Sequence, residues 1–385
     1  MAAMKLEKVH VPQSDRILLM YWGRRGLSQF FFELADATKG CNTLVTVSSA
    51  NENEIGFAAH FQERLLPFDL FETNLGAIWG AWRWRRLRRQ LSQWLRENKI
   101  TTVIDVMPHI WMPVFLPLIR HHGARYIAIA HDAAVHPGDW RSRLAKLSTD
   151  YCLRHSDHGV ALSQTVATQL KSQALISDTK MSVLFHPDLT FGPAGAPVRR
   201  DPDGTMRLAF MGRIMPYKGL PLFVTMVERL RASGVAVVCG VFGEGDLGPV
   251  ASRLAALDAE IVNHWLDADE LAAILNRYDA LVASHIEASQ SGVVAAALGA
   301  GLPVIATPVG GLVEQIDHGV TGIVATAVNA EALASAACRL FFTPGLYETM
   351  RGAIHAQAED RSMANFAKAV LTIAGDDKAR AGRGM

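Results

Sequence analysis

Short runs of β-branched and apolar residues recur along the 385-residue chain, each followed by a stretch with helical periodicity. Five runs read as strands in the first half: ILLMYW (17–22), TLVTVS (43–48), TVIDVM (102–107), RYIAIAH (125–131) and HGVALS (158–163). Five more follow a break: RLAFMG (207–212), VAVVCGVFG (235–243), EIVNHW (260–265), ALVAS (280–284) and PVIAT (303–307). Helical patterns lie between them, as in LPLFVTMVERLRAS (220–233) and DELAAILNRY (269–278). Continuous apolar strands separated by helices predict parallel sheets covered on both faces. The break, FGPAGAPVRRDPDG (191–204), is rich in Gly and Pro, lacks periodicity and reads as a linker. The expected class is α/β: two Rossmann-like, doubly wound parallel-sheet domains, residues 1–190 and 205–358, facing a central cleft. Ligands of such folds bind outside the carboxyl ends of the strands. Residues 345–375 are helical in pattern and contain no strand. Residues 359–385 are therefore assigned to a C-terminal helix and tail, packing on the second domain or back on the first.

Composition narrows the partners. Half the residues are hydrophobic and 19% are charged, as in a globular protein with a large apolar interior. The net charge of +1 is unevenly distributed: residues 1–190 carry 22 Lys and Arg against 17 acids, whereas residues 191–385 carry 16 against 20. An anionic partner is expected to meet the first half. There, WRWRRLRRQLSQWLR (82–96) holds six arginines and three tryptophans. A nucleic-acid-binding protein would show a broadly basic surface and a recognisable module, and neither is visible, so no nucleic-acid partner is expected. The four cysteines are scattered, without C-x-x-C spacing, which suits a reducing cytoplasm. ILLMYWG (17–23) is too short for a signal peptide. MPHIWMPVFLPLI (107–119) has thirteen residues and three prolines, short of the roughly 20 that span a bilayer, so no crossing helix is expected.

Two stretches carry candidate chemistry. LAFMGRIMPYKGL (208–220) reads as a strand, a turn with Gly212, Arg213, Pro216, Lys218 and Gly219, and a helix. Cations at a strand's carboxyl end beside a helix N-terminus make a site for a diphosphate. Arg bridges two oxygens there and Lys acts as a point charge; two solvated turn cations are the plain alternative. The second stretch, residues 285–322, begins with Glu287, Ser289, Gln290, Ser291 and Gly292 and opens a helix of small residues whose first amides face a ligand. Core packing accounts for the alanines. It does not account for the carboxylate, the small polar groups or the Gly310–Gly311 turn.

GRIMPYKG followed about 70 residues later by EASQSGV and ALGAGLPVIATPVGGLVEQIDHGVTG resembles the C-terminal domain of glycosyltransferase family 4, retaining enzymes of the GT-B fold that include bacterial exopolysaccharide and lipopolysaccharide types. The resemblance implies that Arg213 and Lys218 bind the donor's diphosphate, that Glu287 contacts the donor sugar, and that Ser291, Gly292 and Val293 meet sugar or phosphate. GEGDLG (243–248) and NHWL (263–266) resemble the segments lining the base pocket, which assigns Gly243, Glu244, His264, Trp265 and Leu266 there, with Gln290. There is one departure. The family's usual second glutamate, which holds the ribose, is Ala296 here, one residue farther from Glu287 than usual.

In the first domain, the resemblance sets WGRRGLSQFF (22–31) against the donor phosphates through Gly23 and Arg24; a basic surface turn is the alternative. His131 and Asp132 close an apolar strand. By resemblance His131 is catalytic beside the donor sugar, together with Glu287, and His109, Asp132 and His136 lie on the acceptor side. His186, just before the linker, suits either the cleft or the fold.

The reaction so implied is retaining transfer of a hexose from a UDP- or GDP-linked sugar to a hydroxyl of a glycan, lipid-linked by expectation, without cofactor or metal. DPD (201–203) and DAD (267–269) have metal-like spacing, but Asp267 reads better as a helix N-cap. Ala296 keeps a second reading in view, a weak or inactive relative that binds a nucleotide or partner. For a lipid-borne acceptor the arginine run gains a purpose. On a helix Trp84, Leu87, Leu91, Trp94 and Leu95 form one apolar stripe, and the arginines form a ridge with no compensating acid among them. Trp82, Arg83, Arg85, Arg86 and Arg89 are thus expected to contact an anionic membrane surface from the cytoplasmic side.

Overall fold

The computed structural model describes residues 15–70, 83–133, 142–192 and 204–376. These form two compact units, one holding the chain up to Leu184 together with the stretch from Met363, the other holding Phe185–Ser362. His136, Trp82 and the DPD triplet lie outside the described residues, as does most of the expected linker. The division falls at Leu184, ahead of the expected 190, so His186 and Asp188 belong to the second unit.

The first unit is built on seven parallel strands: β1 (Ile17–Tyr21), β2 (Thr43–Ser48), β3 (Leu65–Phe68), β4 (Thr102–Met107), β5 (Arg125–Ala130), β6 (His158–Ala161) and β7 (Met181–Val183). Their order is β3-β2-β1-β4-β5-β6-β7, so the direction of winding reverses between β1 and β4. Leu18 of β1 stands opposite Leu44 of β2 and Val103 of β4. All five residues of β1 are buried, as expected of a central strand covered on both faces. The helix Met363–Gly375 packs here: Phe366 meets Phe30 edge-on at 5.5 Å, and Arg125 Nη1 donates to the Ala374 carbonyl at 2.8 Å.

The second unit has six parallel strands, β8 (Met206–Met211), β9 (Val237–Phe242), β10 (Glu260–Val262), β11 (Ala280–Ala283), β12 (Val304–Ala306) and β13 (Gly322–Val324). Their order is β10-β9-β8-β11-β12-β13, with the reversal between β8 and β11. One face buries Phe223, Val227 and Leu230 of the helix Leu220–Ala232 beside Leu333 and Leu340 of the helix Ala330–Phe342. The other face takes the small-residue helix Gly292–Gly299, whose Val294–Leu298 are buried. Asp267 caps the helix Ala268–Leu275 and exchanges hydrogen bonds with Glu270, an N-terminal capping box that accounts for the DAD spacing.

The arginine run forms the helix Trp84–Glu97, with Leu87, Leu91 and Leu95 buried and Trp84 and Trp94 packed at the margin of the core. The expectation of a ridge without a compensating acid is corrected by the fold. Asp69, just beyond β3, accepts from Arg83 at 2.5 Å and Arg86 at 3.0 Å. The acid is 14 residues from Arg83 in sequence, so a scan of the run itself does not find it. Arg85 and Arg89 remain exposed. Among the described residues no helix is long and apolar enough to cross a membrane.

Candidate active site

In the second unit the carboxyl ends of β8 and β11 lie side by side at the reversal, where an open α/β sheet presents a crevice. The loop after β8 carries Arg213, which is exposed, and Lys218, which is half-buried in a single 3-10 turn, Pro216–Lys218. Gly219 then starts the helix Leu220–Ala232 from a left-handed conformation, φ 69°. A Cβ there would stand 1.9 Å from the Ser284 carbonyl oxygen, so only glycine lets the turn lie against the end of β11. Ser284 Oγ fastens the contact by donating to the carbonyls of Lys218 at 3.2 Å and Gly219 at 3.0 Å. Two motifs about 70 residues apart in the chain are thereby joined, and Ile286 N adds a backbone bond to the Tyr217 carbonyl at 2.7 Å.

The loop after β11 supplies the facing wall. Glu287 is exposed, Gln290 is half-buried, and Ser291 is the N-terminal boundary residue of the helix Gly292–Gly299. The Ser291 side chain caps none of the first-turn amides. Instead its backbone is gripped by Gln315, whose Oε1 accepts from Ser291 N at 2.7 Å and whose Nε2 donates to Ser291 O at 3.2 Å. Gly310, φ 45°, lets the next turn press on this loop, because a Cβ there would lie 1.7 Å from the Ala288 carbonyl oxygen. Ala296, where the resemblance looked for a glutamate, is 2% exposed among apolar neighbours.

Sequence reasoning did not single out His285 or Gln315. His285 is 2% exposed, and its Nε2 lies 2.8 Å from Lys218 Nζ and 3.5 Å from Ser291 Oγ. An ammonium only donates, so Nε2 accepts and the ring proton sits on Nδ1. Gln315 is itself backed by Arg361, which donates to the Gln315 carbonyl at 2.9 Å and grips both carboxylate oxygens of Asp188 at 2.8–3.1 Å. In VGGLVEQI Gln315 follows the charged Glu314, so nothing in the sequence set it apart.

The expected base-pocket residues follow β9 and β10 at the same edge of the sheet. Gly243 extends the ladder, accepting no side chain because a Cβ would meet the Gly212 carbonyl oxygen at 2.2 Å. Ile214 N donates to the Glu244 carbonyl at 2.9 Å, which zips the loops after β8 and β9 together. His264 is exposed and paired with Glu270 at 2.8 Å; Trp265 and Leu266 are half-buried, Leu266 against the core around Phe242. His186 is fully covered: a ring nitrogen donates to its neighbour's Pro187 carbonyl at 2.9 Å, and burial lowers its pKa to about 4.

In the first unit the topology gathers the other candidates at the carboxyl ends of β1, β4 and β5, which are neighbours. The loop of Gly23 and Arg24 is held from below. Tyr21 OH donates to the Arg25 carbonyl and accepts from Leu27 N at 3.2 Å, and Asn51 Nδ2 donates to the Gly23 carbonyl at 2.9 Å. Arg24 is exposed, while Arg25 approaches Glu52 at 3.8 Å. His131 is 7% exposed and meets Phe30 edge-on at 5.2 Å, with Asp132 exposed beside it. His109 lies edge-on to Trp22 and Trp111, its Nδ1 accepting from Trp111 N at 3.3 Å. Burial lowers its pKa to about 4, so it is neutral near pH 7.

Two doubly wound units, each with polar residues at the carboxyl edge of its sheet, have the architecture of GT-B transferases. Residues 26–184 match the family described as Glycosyl transferase 4-like domain, and residues 205–342 match Glycosyl transferases group 1. With both domains present in that order, the chain belongs to the glycosyltransferases. It is 34% identical over 144 residues to glycogen synthase of Mycobacterium tuberculosis; the match takes in 36% of this chain and 34% of that protein, so the chain spans about a third of the length of the curated relatives it matches. The fold is similar to a glycosyltransferase from Rickettsia africae ESF-5, at TM-score 0.68 and 16% identity over 96% of this chain and 100% of that one. It is also similar to Anabaena Alr3699/HepE in complex with UDP-glucose, at TM-score 0.67 and 15% identity over 93% of this chain and 98% of that one.

Proposed function

We propose that the chain is a retaining hexosyltransferase that uses a UDP- or GDP-linked sugar and delivers the hexose to a hydroxyl of a lipid-linked glycan, without a metal. One observation carries this reading: Lys218 and the Ser291 helix start, contributed by separate motifs, converge at the β8–β11 reversal through Ser284 and His285. In this reading Arg213, Lys218 and the amides of Gly292 and Val293 stabilise charge on the departing nucleoside diphosphate. The leaving phosphate takes the acceptor proton as the new bond forms on the same face. Glu287 holds the sugar, His131 lies beside it, and His109 and Asp132 address the acceptor, so the protein contributes chiefly position and charge. His136 and the base-pocket residues Gly243, Glu244, His264, Trp265 and Leu266 keep the parts their motifs imply.

For a lipid-borne acceptor, the exposed Arg85 and Arg89 offer contact with anionic headgroups, at about 1 kcal/mol each near the surface. This supports action at the inner face of the cytoplasmic membrane. The buried Ala296 favours a second reading, a relative that binds a nucleotide without catalysis.

A screen of UDP- and GDP-sugars with slow hydrolysis as readout separates the two. Turnover of one donor, lost in Arg213→Ala and in Lys218→Ala, is the expected result; near-normal turnover in either variant removes the donor-site assignment. His131→Ala is expected to lower turnover more than it weakens nucleotide binding. Binding of a nucleoside diphosphate with no hydrolysis of any matching sugar would favour the second reading.

A further inference from the structure

The crevice of the second unit contains a polar chain of which the donor reading uses only the end at Lys218 and Ser291. Asp188 holds Arg361, Arg361 holds the Gln315 carbonyl, Gln315 holds the Ser291 backbone, and Ser291 Oγ lies 3.5 Å from the His285 nitrogen that receives Lys218. The two groups at its active end, Lys218 and Ser291, are those assigned to the donor's diphosphate.

His285 differs from an ordinary buried histidine in what it holds. Its carbonyl is anchored by Thr307 Oγ1, and the following residue's amide, Ile286 N, donates to the Tyr217 carbonyl at 2.7 Å. The backbone is thus fixed on both sides of His285 while its Nε2 faces the ammonium. A lysine side chain carries about 2 kcal/mol of rotamer entropy, which a ligand must otherwise overcome when it orders the ammonium. A carboxylate at this place would order the lysine but cancel its charge and compete with the phosphate. A neutral imidazole accepts one N–H and does not cancel the positive charge that attracts an anion.

We infer that His285 is a positioning residue for donor binding, holding the Lys218 ammonium in line with the Ser291 helix start, which Gln315 fixes from below. This rests on the assignment of Lys218 to the donor's diphosphate. His285 does not touch the reacting atoms and acts through Lys218.

The test is calorimetric titration of the full chain with UDP, GDP and ADP, comparing the unaltered protein with Lys218→Ala, His285→Phe and His285→Gln. Binding of one nucleotide is expected to weaken at least tenfold in Lys218→Ala and about tenfold in His285→Phe, the scale of one hydrogen bond to a charged group. His285→Gln keeps a neutral acceptor and is expected to bind within about threefold of the unaltered chain. A structural role alone would lower the melting temperature of His285→Phe without changing affinity. If His285→Phe does not fold, His285→Ala removes the same acceptor without added bulk and is read in the same way. Unchanged affinity in the acceptor-free variant, with affinity lost in Lys218→Ala, overturns the role of His285 and leaves the donor site standing. Unchanged affinity in Lys218→Ala, or no binding of any of the three nucleotides, overturns the donor reading and the inference with it.

Discussion

Asp105 shows how the first unit accommodates a carboxyl inside its sheet. It is 1% exposed in β4, accepts from Tyr126 OH at 2.6 Å and from Met107 N at 3.2 Å, and burial raises its pKa from 3.8 to about 7. The folded state therefore binds this proton more tightly than the unfolded chain does. The stability so gained is full below pH 3.8 and is lost as pH rises through about 7. Asp105→Asn, which stays neutral, is expected to lack that loss, so its unfolding free energy should gain on the unaltered chain between pH 4 and 8. Parallel curves in urea titrations across that range would show that Asp105 is ionised throughout. Arg213, Lys218 and Glu287 could be singled out as candidates from the sequence because each sits in an uninterrupted motif. His285 and Gln315 were not, because their partners lie 67 and 24 positions away and only the fold brings them together.

At the scale of elements, all ten predicted strands are present, and the three additional ones, β3, β7 and β13, are each the last strand at an edge of a sheet. β3 contains Pro67, tolerable where one side of the ladder is open. β7 and β13 are three residues long, but so are β10 and β12, so length and edge position do not separate the strands that were read from those that were not. The helix Trp84–Glu97 is the opposite case, since its apolar stripe was legible and its charge balance was not. Arg83 and Arg86 are paired to Asp69, whereas Arg85 and Arg89 in its first half are exposed. Reversing both, Arg85→Glu with Arg89→Glu, leaves Leu87, Leu91 and Leu95 buried and is expected to preserve the fold. Co-flotation with phosphatidylserine vesicles should weaken by more than roughly thirtyfold, given about 1 kcal/mol per basic residue. Equal flotation of both proteins, or equal binding to vesicles of phosphatidylcholine alone, would remove the electrostatic membrane contact.

At the scale of the whole molecule, the units are not consecutive stretches of chain. The first is completed by residues from Met363 onward, after the second has been built. A helical pattern at 345–375 was readable, but periodicity reports only that a helix has an apolar face and not which sheet receives it. That choice lies in side chains: Phe366 against Phe30, and Arg125 on the carbonyl of Ala374. Each unit has its own sheet and core, so each is expected to melt with its own response to perturbation. Phe366 is fully buried, and Phe366→Ala should cost about 3–5 kcal/mol in the first unit alone. A nucleoside diphosphate at 100 times its dissociation constant should add about 2.7 kcal/mol to the second unit, which holds Arg213 and Lys218. Scanning calorimetry of the unaltered chain and Phe366→Ala, each with and without nucleotide, separates these effects. Two transitions are expected, one lowered by the substitution and the other raised by the ligand. A single transition that answers to both would mean that the units unfold as one body, and that closing the first with the chain's C-terminal helix ties the stability of the donor site to the far end of the chain.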